Sequence, residues 1–62
     1  MTGVIEFGNA YFVCPADARA DMRRCVDEIE LLYPDGWWVD PPMLGKGALG
    51  EWGWYARREV SA

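Results

Sequence analysis

Apolar residues recur every three or four positions between residues 15 and 33, which predicts one amphipathic helix. Pro15 suits the first helical position, where its missing N–H is not needed. The Pro34-Asp35-Gly36 sequence then ends the helix and turns the chain. At 3.6 residues per turn the apolar positions fall within one arc of about 120°. We expect this stripe to face the core, with Met22 and Ile29 at its centre: Ala18, Met22, Cys25, Val26, Ile29, Leu32 and Tyr33.

Three other segments, residues 4–13, 36–40 and 52–60, have the composition of β-strands. Gly8-Asn9 interrupts the first segment, which is therefore one strand with a bulge or a tight hairpin. We favour one bent strand, whose shared face holds Ile5, Phe7, Tyr11 and Val13. Pro41-Pro42 is expected to end the second strand, and the Gly- and Pro-rich residues 41–50 are expected to form a loop.

The resulting order, β-α-β-β, predicts a single α+β domain over residues 1–62, with one helix packed across a small antiparallel sheet. The alternative is four strands with an N-terminal hairpin. In the second strand Trp37 and Val39 should face one way and Trp38 and Asp40 the other. One of the two tryptophans should therefore lie on the open face, and we take Trp38 as the candidate binding anchor.

The chain has no histidine, which excludes Ser-His and Cys-His nucleophile pairs and histidine metal sites. Cys14 and Cys25 should lie about 16 Å apart along the helix, beyond the roughly 7 Å that a disulfide spans. We expect both to be free thiols. The glycine-rich residues 45–50 lack the residue order of a phosphate-binding loop. We therefore expect no enzyme activity, no cofactor and no metal.

The negative charge is concentrated in residues 27–40, which hold five acids and no Lys or Arg, in a chain of net charge −4. Several of these acids occupy the C-terminal half of the helix, where the helix dipole disfavours negative charge. Carboxylates held at fixed spacing can imitate nucleic-acid phosphates and bind a basic groove. The candidate partner-binding residues are Asp17, Asp21, Asp27, Glu28, Glu30, Asp35, Trp38 and Asp40.

In its small size, acidity and lack of a catalytic motif, the whole chain resembles the small acidic anti-CRISPR proteins of phages and mobile elements. The resemblance is one of class and carries no diagnostic motif. It implies an inhibitor that binds a basic nucleic-acid-binding protein, here the large, PAM-recognising subunit of a type I Cascade complex, type I-C, and blocks recognition of target DNA. It implies no direct binding of nucleic acid, and a monomer or weak dimer.

A second class of function is an interaction module unrelated to CRISPR, such as an antitoxin, a phage regulator, or an aromatic platform for peptide or sugar. The N-terminus lacks a basic region followed by an apolar run, so a cytoplasmic protein without a membrane segment is expected. Salt separates the two classes, because a charge-driven complex weakens with ionic strength and an aromatic platform does not.

Overall fold

The computed structural model describes residues 2–61. Its elements are β1 (Thr2–Phe12), α1 (Pro15–Leu32), β2 (Trp37–Lys46) and β3 (Trp52–Ser61). The strands form one antiparallel sheet in the order β1-β3-β2, and α1 packs against one face of it. The predicted α+β class and the β-α-β-β order are confirmed.

The helix begins and ends close to the predicted limits. Pro15 occupies its first turn, and Tyr33 follows its last residue and donates its backbone N–H to the carbonyl of Ile29 at 2.9 Å. The apolar stripe faces the sheet as predicted, except at Leu32, which is 71% exposed. Ile29 is buried against Trp54 and Ala56 of β3, and Met22 is half-buried against this cluster.

The first strand is one bent strand, as favoured, and the hairpin alternative is wrong. Its pairing with β3 runs without a break from Thr2 to Asn9, and an irregularity follows between Asn9 and Phe12. That irregularity changes which aromatic residue faces the core. Phe12 packs against the core cluster, whereas Tyr11 is 69% exposed, so the prediction that Tyr11 and Val13 share the inner face with Phe7 is wrong.

The second strand does not end at the prolines, and the predicted loop over residues 41–50 is wrong for residues 41–46. Strand β2 continues through Pro41 and Pro42 to Lys46. The reason is its place at the edge of the sheet, where a residue without an N–H loses little pairing. Only a short turn joins β2 to β3, and Gly50 takes a positive φ of 84° within it.

Two shifts in register accompany the prolines, between Trp38 and Asp40 and between Asp40 and Met43. They place Asp40 opposite Arg57, while Trp37 lies opposite Glu59. Arg57 and Glu59 lie two residues apart and so share a face of β3. Asp40 therefore lies on the open face with Trp37, and the prediction that Asp40 faces the same way as Trp38 is wrong.

Candidate functional site

Exposed carboxylates line the outer face of α1 and the turn that follows it. Asp17 and Glu28 are eleven residues apart and lie on one edge of the helix, about 20° apart around its axis. Asp27 is exposed in the C-terminal half of α1, and Asp35 lies in the turn before β2. The side chains of the following acids are exposed: Asp17, Asp27, Glu28, Glu30 and Asp35. Five of the eight predicted partner-binding residues are thus available on this acidic face, which we define as Asp17, Asp27, Glu28, Glu30 and Asp35.

Asp21 is turned inward, and its side chain is only 9% exposed. Asn9 Nδ2 of β1 and Trp54 Nε1 of β3 both donate to its Oδ2 atom at 2.7 Å. Arg24 Nη2 donates to the other oxygen, also at 2.7 Å. Asp21 therefore joins the helix to two strands and contributes little to a surface for a partner, contrary to its predicted place on the negative surface.

These hydrogen bonds, from Asn9 first and then Trp54, hold the pKa of Asp21 below its usual value near 3.9 against the opposing effect of burial. A carboxyl whose pKa is lower in the folded state stabilises the fold above its unfolded pKa, and that contribution is lost as pH falls through the folded pKa. We expect the stability advantage of the parent over Asp21→Asn to shrink below about pH 4. Urea unfolding across an acidic pH series measures this, and a constant difference would contradict it.

Glu30 and Trp38 meet at the β2 side of the helix. Trp38 Nε1 donates to Glu30 Oε1 at 3.2 Å, and the ring of Trp38 packs against the core cluster. Trp38 is half-buried, whereas Trp37 is 58% exposed. The structure thus makes Trp37, and not the candidate anchor Trp38, the more exposed member of the pair.

Arg58 of β3 is buried beneath this pair, a role that no local pattern in the sequence indicates. Its guanidinium lies 4.7 Å from the ring centre of Trp38, and its Nη2 donates to the backbone carbonyls of Tyr33 and Gly36 at 3.1 and 2.8 Å. Nη1 lies 4.0 Å from Glu30 Oε1. A cation therefore sits at the C-terminal end of α1, where the helix dipole favours it.

Arg58→Ala should lower the free energy of unfolding by about 1–3 kcal/mol, because the carbonyls lose a charged donor and Trp38 loses its stacking partner. Arg57→Ala is the matched control, since the Arg57 side chain is 39% exposed and lies on the open face. Its loss should cost less than about 1 kcal/mol. Equal urea midpoints for the two variants would show that Arg58 does not hold the helix end.

The fold supplies counter-charges that the acidic window lacks in sequence. Arg57 Nη1 donates to Asp40 at 3.1 Å, and Arg58 lies beside Glu30. The reasoning that these acids lack counter-charges is therefore wrong for Glu30 and Asp40. Asp27 and Asp35 differ, since within residues 2–61 neither lies within 4.0 Å of a basic side chain.

The face of the sheet opposite α1 forms a second exposed surface. Val4 and Trp37 lie on either side of Glu59, and Met43 lies beside Tyr55. All four apolar residues are at least 45% exposed. We call Val4, Trp37, Met43 and Tyr55 the open face. The alternation of side chains along each strand indicates that such a face exists. Because β2 shifts its register, the sequence does not indicate which residues of neighbouring strands lie together on that face.

The remaining chemistry is sparse. Both cysteines are free, as predicted, and burial raises the pKa of the Cys25 thiol. No group of three or more acids or cysteines in the described residues is arranged to hold a metal ion. Residues 2–61 contain no helix with the length and apolarity needed to cross a bilayer.

Comparison with protein-family models, with curated proteins and with solved structures finds no significant match to this chain.

Proposed function

We propose that this chain is a non-enzymatic inhibitor that binds a basic, DNA-contacting surface of a protein and so keeps DNA away from it. The observation that carries this proposal is the acidic face. Its members Asp27 and Asp35 are exposed and lie within 4.0 Å of no basic group in residues 2–61.

The helix holds these carboxylates in a fixed array. Asp17 and Glu30 are separated by about 20 Å along the axis of α1 at a rise of about 1.5 Å per residue. Asp21 and Arg58 attach that helix to the sheet at both ends of this span. A rigid array of negative charge competes with phosphates for an arginine- and lysine-lined groove, and it accelerates association by electrostatic steering.

The resemblance to small acidic anti-CRISPR proteins supports a particular partner. On that basis the target is a type I effector complex, type I-C, and the bound surface is the PAM-reading groove of its large subunit. The place of action is then the cytoplasm of a bacterial host cell. The resemblance supports the class of partner, while the charges on the acidic face account for the affinity.

The test is inhibition of target-DNA binding by a purified type I-C effector, measured with a labelled duplex. The combined variant Asp27→Lys and Asp35→Lys reverses two carboxylates of the acidic face that lie within 4.0 Å of no basic side chain in residues 2–61. We expect it to inhibit at least about tenfold less well, because like charges then face each other in the complex. Glu30 is left in place, since its replacement would disturb Trp38 and Arg58.

Glu59→Lys is the control, because Glu59 lies in β3 on the opposite side of the sheet from the helix. It should inhibit within about threefold of the parent. A folded double variant that inhibits as well as the parent would refute the role of the acidic face. Failure of the parent itself to displace DNA would refute the inhibitor function.

The open face favours a second candidate function, an aromatic platform for peptide or sugar. Trp37 is 58% exposed and Tyr55 is 45% exposed on the same side of the sheet. Exposed aromatic side chains of this kind are frequent binding anchors. In this case Trp37→Ala would abolish binding, and the reversal of Asp27 and Asp35 would leave it unchanged.

A further inference from the structure

Strand β1 presents a free edge that nothing in its sequence blocks. The order β1-β3-β2 makes both outer strands edges. Strand β2 carries Pro41 and Pro42 and two register shifts, which protect an edge from pairing. Strand β1 contains no proline and keeps an unbroken register with β3 from Thr2 to Asn9. Its outer N–H and C=O groups can therefore accept another strand.

A groove lies beside this edge, between β1 and the helix. Phe7, Cys25, Ile29 and Leu32 line it, and its volume is about 300 Å³. Leu32 is 71% exposed, which is unusual for a residue on the apolar stripe of a helix. Alternate side chains of a strand added to β1 would point into this groove, because strand residues alternate between the two faces of a sheet.

Carboxylates lie on both sides of the same edge. Glu28 lines the groove, and Glu6 is the only charged residue of β1. Their side chains are 64% and 68% exposed. The nearest cations are Arg24, 3.7 Å from Glu28, and Arg57, 3.9 Å from Glu6, and such long exposed pairs are weak. The edge therefore suits a basic segment. A second copy of this chain would bring the same acids to it.

We propose that an extended protein segment of alternating apolar and basic residues binds along β1 as a fourth strand. Its apolar side chains fill the groove beside Phe7 and Leu32, and its basic side chains face Glu6 on the other side of the sheet. Main-chain hydrogen bonds supply affinity and the groove supplies selectivity, as in other cases of strand addition. This site goes beyond the proposed inhibitor function, and it does not involve Asp27 or Asp35.

The probe is a capped peptide of alternating valine and lysine, eight residues long to match the unbroken stretch of β1. Titration into the isotope-labelled full chain should shift the amide resonances of residues 2–9 and leave β2 unchanged. Leu32→Asp should weaken binding at least about tenfold, because it places a charge in the groove. Leu31→Asp is the matched control: Leu31 is 83% exposed and does not line the groove, and its variant should bind within about threefold of the parent.

A second probe tests the backbone pairing in the parent protein, without any change to its fold. The same peptide with alternate amides N-methylated cannot donate to β1, and it should bind at least about tenfold more weakly. Equal binding of the two peptides would overturn strand addition, and equal loss in both leucine variants would overturn the groove. Self-association of the free chain through β1, seen by sedimentation and resonance shifts, would show that a second copy is the occupant.

The double variant of Asp27 and Asp35 should bind the peptide like the parent. Loss of peptide binding in that variant would place the site on the acidic face and overturn this inference, whatever the outcome for DNA competition.

Discussion

Asp21→Ala is expected to destabilise this domain by about 3–5 kcal/mol, the largest effect of any single substitution considered. The carboxylate accepts from Asn9, Trp54 and Arg24, each at 2.7 Å, and its side chain is 9% exposed. Its loss leaves the indole N–H of Trp54 and the amide of Asn9 without their acceptor. A domain of this size commonly has only about 3–5 kcal/mol of total stability, so the variant should be largely unfolded at room temperature.

Asp17→Ala is the control for this change. Asp17 lies one turn earlier on the same edge of α1 and is exposed. Its loss should cost about 0.3–1 kcal/mol, through its favourable position at the helix N-terminus. Circular dichroism and urea unfolding compare the two variants. Similar unfolding midpoints for both would mean that Asp21 does not attach the helix to the sheet.

Ile29→Ala is expected to cost about 2–4 kcal/mol, because it opens a cavity in the centre of the core. Ile29 is 5% exposed and packs in one cluster with Trp54 and Ala56. Few other side chains can compensate, since only five apolar residues are buried in the described part of the chain: Ala18, Ile29, Trp54, Ala56 and Val60.

The control for Ile29 is Leu31→Ala. Leu31 lies two residues further along the same helix and is 83% exposed. Its truncation should change the free energy of unfolding by less than about 0.5 kcal/mol. Thermal unfolding followed by circular dichroism gives both values. If Ile29→Ala melts at the temperature of the parent, the apolar stripe does not form the core.

Local patterns were sufficient to predict most of the architecture. The spacing of Met22, Cys25 and Ile29 predicts the helix and its buried face. The alternation of Trp54 and Ala56 with Tyr55 and Arg57 predicts β3 and its two faces, and the structure buries the face that holds Trp54 and Ala56. Both depend on the period of a single element, which a sequence records directly.

The errors arose where an element depends on its neighbours. Pro41 and Pro42 are typical of a strand end, yet β2 continues through them because it lies at the edge of the sheet. Because of the irregularity after Asn9, Phe12 and not Tyr11 packs against the core. Neither position in the sheet nor the place of a register shift can be inferred from the pattern of one strand.

The candidate site was predicted only in part, because it also depends on residues that are distant in sequence. The exposure of Asp27 and Asp35 follows from helix geometry and from the turn residues around them. The inward orientation of Asp21 depends on Trp54, which is 33 residues away in sequence. The cation at the end of α1 comes from Arg58, 25 residues after Tyr33. Near Glu30 and Asp40 the folded surface is therefore less negative than the number of acids in the sequence indicates, because Arg58 and Arg57 lie beside them.

Asp27 and Asp35 are nevertheless exposed and lie within 4.0 Å of no basic side chain in residues 2–61. The central claim is that the acidic face binds a basic, DNA-contacting surface. The most direct test is the affinity of the parent protein for a purified type I-C effector complex, measured from about 0.05 to about 0.5 M salt. Over this range we expect the dissociation constant to rise by at least about tenfold, as for other charge-steered complexes. Absence of binding, or an affinity that does not change with salt, would contradict the account.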